Sequence, residues 1–157
     1  MGVLVMNKDL VVKQEFNKDI LNVQDLGKFL ETQEQVETPI THSIFGGIYT
    51  RAMFIPKDTL IIGKRHRNAT CNMLIQGTIS IYMGEDLPVR TLIGPCVFPS
   101  EPFSQKLGYA HTDVIFVTVH PTSETDVNKM EEILTIPEEE YEKLKEIEEV
   151  KKITEAV

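Results

Sequence analysis

Apolar and polar positions follow three different rhythms along the chain. Up to about Glu37 a short apolar run gives way to one helix, because Ile20, Leu21, Val23, Leu26, Phe29 and Leu30 recur at helical spacing. Asn17 or Asp19 is the expected cap, Gly27 weakens the helix slightly, and the polar stretch Gln33–Thr38 leads to Pro39, which ends it. From Ile44 to His120 the rhythm is that of short strands: Ile48–Ile55, Thr59–Ile62, Asn72–Ile75, Thr78–Met83, Val89–Ile93 and Cys96–Phe98. Each stops at a turn signal, such as Pro56-Lys57-Asp58, Gln76-Gly77 or Gly94-Pro95. Val114–Val119 is a nearly continuous β-branched and aromatic run and is expected at the centre of a sheet.

The last region turns helical and acidic. A shorter helix is expected over Thr125–Leu134, and Thr135-Ile136-Pro137-Glu138 reads as a capping box that starts a longer one. There Ile136, Tyr141, Leu144, Ile147, Val150 and Ile153 read as one apolar stripe, to be buried against the barrel or a second copy, so a homo-oligomer (dimer or tetramer) is expected. The fold class is therefore mainly β: a small barrel or sandwich over residues 39–122, an N-terminal helical segment over 1–38 and acidic C-terminal helices over 123–157.

Composition narrows the function classes. With 157 residues, 41% hydrophobic and 25% charged, the chain is ordinary globular protein rather than a disordered one. It holds no apolar run of the roughly 18–20 residues that a membrane helix needs. The opening MGVLVMN reads as neither a signal peptide nor, with Met6 where Ser or Thr is required, a myristoylation signal. Two cysteines, Cys71 and Cys96, suit a reducing cytosol and are expected as buried packing residues. The net charge of −8 speaks against long nucleic acids. Yet residues 43–120 carry 7 basic and 5 acidic side chains, so a small anion bound in the middle is electrostatically allowed.

Candidate chemistry concentrates between Gly63 and Gly77. Lys64, Arg65 and Arg67 surround His66, and alternation places Lys64 and His66 on one face. Arg51, Arg90 and Lys106 add cations, suited to phosphate or carboxylate, while Tyr49, Asn72 and Tyr109 offer stacking and hydrogen bonds to a nucleotide. The opposing reading is that these cations simply balance the acidic tails. A metal-holding cupin barrel would place two His at i, i+2 and a Glu soon after. Here Lys64 stands at the first His, Thr70 lies near the Glu, and only His66 is left, with His111 as a possible partner from the later half. No metal or other cofactor is expected. His42 and His120 are expected to be structural, and Asp113 beside His111 is not expected to work as an acid–base pair. No phosphate loop, nucleophile elbow or zinc-spaced cysteine pair is present, so no catalytic residue is assigned.

Thr41-His42-Ser-Ile-Phe-Gly-Gly47-Ile-Tyr49-Thr-Arg51, Ile55-Pro-Lys-Asp-Thr59 and Gly63-Lys64-Arg-His66 resemble the small cupin-like proteins of bacteriophages. Lys106-Leu-Gly-Tyr-Ala-His111-Thr-Asp113 and Val119-His120-Pro-Thr122-Ser-Glu-Thr-Asp126 resemble that family's second half, so the likeness spans roughly residues 39–134. Some viral proteins similar to this group sequester cyclic nucleotides made by host defence of the CBASS type. The resemblance implies an immune-evasion protein in the host cytoplasm that binds a cyclic nucleotide without cleaving it. Arg51, Lys64, His66, Asn72, Lys106, Tyr109 and His111 are then the expected contacts. Two alternatives stay open: a metal-dependent cupin enzyme acting on a small sugar or acid, and a structural phage component.

Overall fold

The computed structural model describes residues 4–7, 23–84 and 87–156. Its strands in chain order are β1 Leu4–Asn7, β2 Ile40–Phe45, β3 Ile48–Ile55, β4 Thr59–Ile62 and β5 Thr70–Gln76, then β6 Thr78–Tyr82, β7 Arg90–Ile93, β8 Cys96–Ser100, β9 Leu107–Ala110 and β10 Val114–Pro121. The helices are α1 Val23–Glu31, α2 Val127–Leu134 and α3 Glu138–Glu155. The strands form two five-stranded antiparallel sheets, β1-β4-β9-β6-β7 and β2-β3-β10-β5-β8.

The chain passes repeatedly from one sheet to the other, which rolls them face to face around a shared core. Met53, Ile55, Leu74, Phe98 and Val114 of the second sheet meet Ile61, Ile79, Ile81 and Ala110 of the first there. This is the mainly β sandwich with flanking helices that the strand rhythm predicts. The β-branched run lies where it was expected, as β10 between β3 and β5. Two further strands, β2 and β9, have no clear signature because their runs, ITHSIF and LGYA, mix polar and small residues.

The tight β5–β6 hairpin depends on Gly77, at φ 97°, where an added Cβ would stand 2.2 Å from the Asp113 carbonyl oxygen. Helix α1 lies over the outer side of the first sheet, packing Leu26 and Leu30 on Leu60 and Ile62. Each such leucine contributes about 1.5–3 kcal/mol through the water its burial displaces. Because β1 pairs with β4 and α1 packs on it, the boundary near residue 38 divides elements that share one body. Asn17, Asp19, Ile20 and Leu21 lie outside the described residues.

The C-terminal elements depart from expectation in two ways. Thr135 makes no capping box: its hydroxyl donates back to the Glu131 carbonyl at 2.6 Å and closes α2, while α3 starts at Pro137 with no side-chain cap. Nor is the apolar pattern of α3 one stripe. Leu144, Ile147, Val150 and Ile153 are spaced by three, and each step turns about 300°, so the row winds half-way round the helix. No residue of α3 is buried, and Ile147, Val150 and Ile153 remain more than 60% exposed.

The base of α3 is nevertheless held firmly. Arg65 donates to Glu138 and to the Phe103 carbonyl and lies over the Tyr141 ring, 3.9 Å from its centre. Arg67 makes a two-pronged pair with Glu140 at 2.7 and 3.0 Å. The Arg67 N–H donates to the Leu134 carbonyl and the Ile136 N–H to the Arg65 carbonyl, so the α2–α3 connection is sewn to residues 65–67. The boundary near residue 122 therefore also falls inside one body.

Candidate functional site: a cationic cavity inside the barrel

Strand register builds the site. Along β3, residues 49, 51, 53 and 55 face inward, and along β10 residues 114, 116, 118 and 120 do, by the two-residue period of an extended chain. Arg51 pairs with Thr118, and Thr118 with Asn72 of β5, so three polar side chains stand in one row on the inner face. Arg51 Nε and Nη2, Thr118 Oγ1 and Asn72 Oδ1 are all buried without a hydrogen-bond partner. Desolvating such groups unpaired costs stability, most of all for a charge.

Arg51 and Thr118 open onto a cavity of about 80 Å³. Its polar end is completed by Lys64, His66 and Lys106; its other end is apolar, with Met53, Ile61, Ile79 and Phe116 among the walls. Gly108 helps to keep it open, since a Cβ there would press within 3.1 Å of Ile79 and 3.2 Å of Ile61.

The polar end is positive. Burial lowers the Lys106 ammonium to a pKa of about 8, and no carboxylate among the described residues pairs with it. Burial also holds the Arg51 guanidinium below its usual value, although it stays charged. His66 is held neutral, at about 3, by burial and then by the charges of Lys106, His120 and Arg51. His120 is at about 4, by burial and then by Lys106 and Arg51. The two imidazoles meet edge to face with centres 5.1 Å apart, and His66 Nδ1 lies 3.1 Å from Thr70 Oγ1. Behind them Tyr49 stacks on His120, and its hydroxyl hydrogen-bonds His42 Nδ1 at 2.7 Å. Two cations beside two neutral imidazoles give this end of the cavity a positive potential.

Of the residues the sequence singled out, Arg51, Lys64, His66 and Lys106 line this cavity. Three others do not. Asn72 points inward but is fully buried, and its amide donates to the Phe98 carbonyl and Ser100 Oγ, bracing β5 against β8. Tyr109 faces the outer side of the first sheet beneath α1 and donates to Asp58. His111 is exposed and bonded to Ser80 Oγ at 2.7 Å, beside Tyr109. His120, expected to be structural, is buried between Tyr49 and His66, and Thr118 was overlooked; counting forward by twos from Val114 puts both on the inward face that meets Arg51.

The cation run is mostly spoken for, because Lys64 pairs with Glu131, Arg65 with Glu138 and Arg67 with Glu140. Arg90 is exposed on the edge strand β7. Cys71 is exposed, contrary to the expectation that it packs in the interior, whereas Cys96 is half-buried against the core.

A divalent metal, as in cupin enzymes, does not fit these side chains. Among the described residues no three His, Cys, Asp or Glu come together as a ligand set. His66 and His120 would be the only imidazole donors, and Arg51 and Lys106 beside them repel a cation. The buried unpaired N–H groups of Arg51 call for an acceptor, not a metal.

No protein-family model and no curated protein matches the chain. Similar solved structures include an acetylacetone dioxygenase from Acinetobacter johnsonii, at 11% identity and a TM-score of 0.46, over 54% of this chain and 59% of that one. A cupin superfamily protein from Desulfitobacterium hafniense is 7% identical with a TM-score of 0.47, over 60% of this chain and 86% of that one. A cupin-like protein from Thermotoga maritima is 12% identical with a TM-score of 0.47, over 68% and 83%. The chain thus spans about three-fifths of the dioxygenase's length. No described helix is long and apolar enough to cross a membrane.

Proposed function

We propose that the barrel binds a small organic anion and does not turn it over. The reading rests on one observation: Arg51 presents two buried N–H groups without an acceptor, beside a half-buried Lys106 that no carboxylate among the described residues pairs. A carboxylate or phosphate group would satisfy the Arg51 fork and neutralise Lys106, with Thr118 as a further hydroxyl. A short apolar body would lie against Met53, Ile61, Ile79 and Phe116. Among the described residues no carboxylate lines the cavity to supply acid–base chemistry.

Volume sets the class of ligand. At about 80 Å³ the cavity lies well below the roughly 300–1,000 Å³ of pockets that enclose drug-sized molecules. An anion of a few heavy atoms suits it. The cyclic nucleotide implied by the resemblance to phage proteins would enter by a phosphate edge at most, or lie across two copies.

The test is a thermal-shift and calorimetric panel of acetate, butyrate, inorganic phosphate and cyclic dinucleotides, run on the wild type and on Arg51→Met. Short carboxylates or phosphate should stabilise the wild type, with no effect on Arg51→Met and the ligand recovered intact. Tight binding of a cyclic dinucleotide, returned unchanged, would restore the sequestering role in immune evasion. No response to any anion at millimolar concentration would overturn the proposal.

A further inference from the structure

We infer that the outer face of the β2-β3-β10-β5-β8 sheet joins two copies of this chain about a two-fold axis. The two sheets are treated differently on their outer sides. The β4 and β9 side chains of the first sheet are covered by α1, whereas no described helix packs across the second. Its outward residues are nonetheless those of an interior. Ala52, Met73, Val97 and Val117 are in register across four neighbouring strands, with Phe54 and Val119 in the adjoining rows. Not one of these six is buried, and Val97 is 64% exposed. An antiparallel sheet with one wet face ordinarily alternates apolar and polar residues, and β10 does not.

Charge identifies the occupant. The five strands of this sheet contain one formally charged side chain, Arg51, and it points inward, in a protein 25% of whose residues are charged. A different partner would be selected and oriented by matching charges, and this face offers none to match. A two-fold contact has the opposite requirement, because any charge near the axis meets its own like charge. For a chain of net charge −8, an uncharged face is where two copies approach with least repulsion. Roughly a dozen outward side chains at about 50 Å² each bury on the order of 1,200 Å² over both copies, enough for a specific dimer. The helix α3, whose apolar row winds round it, offers no comparable surface.

The experiment is light scattering on the full-length protein from 1 to 200 μM, at 0.15 M and 1 M NaCl. A species of twice 17.8 kDa that persists in high salt is expected. Val117→Lys should give a folded monomer, judged by circular dichroism and melting, and Val150→Lys on α3 should leave the dimer intact. If Val117→Lys does not fold, Cys71→Arg on the same face is the second variant, with the same expectation. Cys71 should react at least tenfold more slowly with a thiol reagent at 200 μM protein than at 1 μM. A monomer at every concentration overturns the inference, as does a dimer that survives both face variants or is lost with Val150→Lys. A monomer whose Cys71 is unreactive at every concentration overturns it too, since the chain would then cover this face itself.

Discussion

Lys106→Met should make the protein more stable and useless as a receptor. In the folded chain burial brings the Lys106 ammonium down to a pKa of about 8, against an ordinary 10.5. Below pH 8 the side chain is protonated in both folded and unfolded states, so the full cost of burying its charge is present. That difference corresponds to roughly 3 kcal/mol, and about 2 kcal/mol once the solvent reaching this half-buried residue is discounted. As pH rises from 8 towards 10.5 the folded chain sheds the proton while the unfolded chain keeps it, and the penalty disappears.

Urea unfolding at pH 7 and pH 9.5 is the assay. Lys106→Met should exceed the wild type by about 2 kcal/mol at pH 7, and the margin should shrink at pH 9.5. Any gain from the apolar methionine itself is independent of pH, so the change in margin isolates the charge. A saturating anion should close the same gap from the other side, since ligand at a hundred times its Kd stabilises by about 2.7 kcal/mol. An equal margin at both pH values would refute the reasoning, because it would mean that the ammonium is solvated or paired.

Acid should unfold the protein early. His66 and His120 are held neutral in the fold, at about 3 and about 4, so between pH 6.5 and those values the unfolded chain takes up protons that the folded chain refuses. Each contributes a loss of about 1.4 kcal/mol per pH unit in that window, measurable as a falling urea midpoint, and His120→Asn should flatten the slope. Gly77→Ala should cost at least about 2 kcal/mol by thermal melting, from the positive φ and the clash with the Asp113 carbonyl. Asn72→Ala should cost about 2 kcal/mol, by removing donors to Phe98 and Ser100. Tyr109→Phe and His111→Ala should leave the anion titration of the wild type unchanged.

The parts of the fold that were legible in the sequence are those written in local periodicity and turns. The β10 run, the Pro56 and Gly77 turns and the start of β3 at Ile48 follow from residue type alone. What the sequence did not carry was pairing over distance. Lys64, Arg65 and Arg67 looked like a binding patch because their partners, Glu131, Glu138 and Glu140, lie some seventy residues away in what read as a solvated acidic run. Lys106 was singled out for its charge, but nothing local signals its burial: it precedes β9, whose LGYA sequence barely announces a strand. Arg51 and Lys106 become a site only when β3 and the start of β9 are rolled against each other. Cys71 was misjudged for a related reason. Its apolar neighbours mark a strand, but not that the strand's outer face is uncovered.

The stitching of residues 65–67 to the α2–α3 connection also fixes when the site comes into being during synthesis. Arg65 and Glu138 are 73 residues apart, and the strands at the cavity's mouth are made long before the helices that hold them. A nascent chain that has just completed β10 already possesses every side chain lining the cavity, but not the glutamates that pair with Lys64, Arg65 and Arg67 on either side of His66. Such distant contacts close late and slowly. The helical contacts of residues 65–67 are therefore made after all the cavity-lining strands, and a chain truncated before Glu138 would retain the strands and lose the Glu138 and Glu140 pairs.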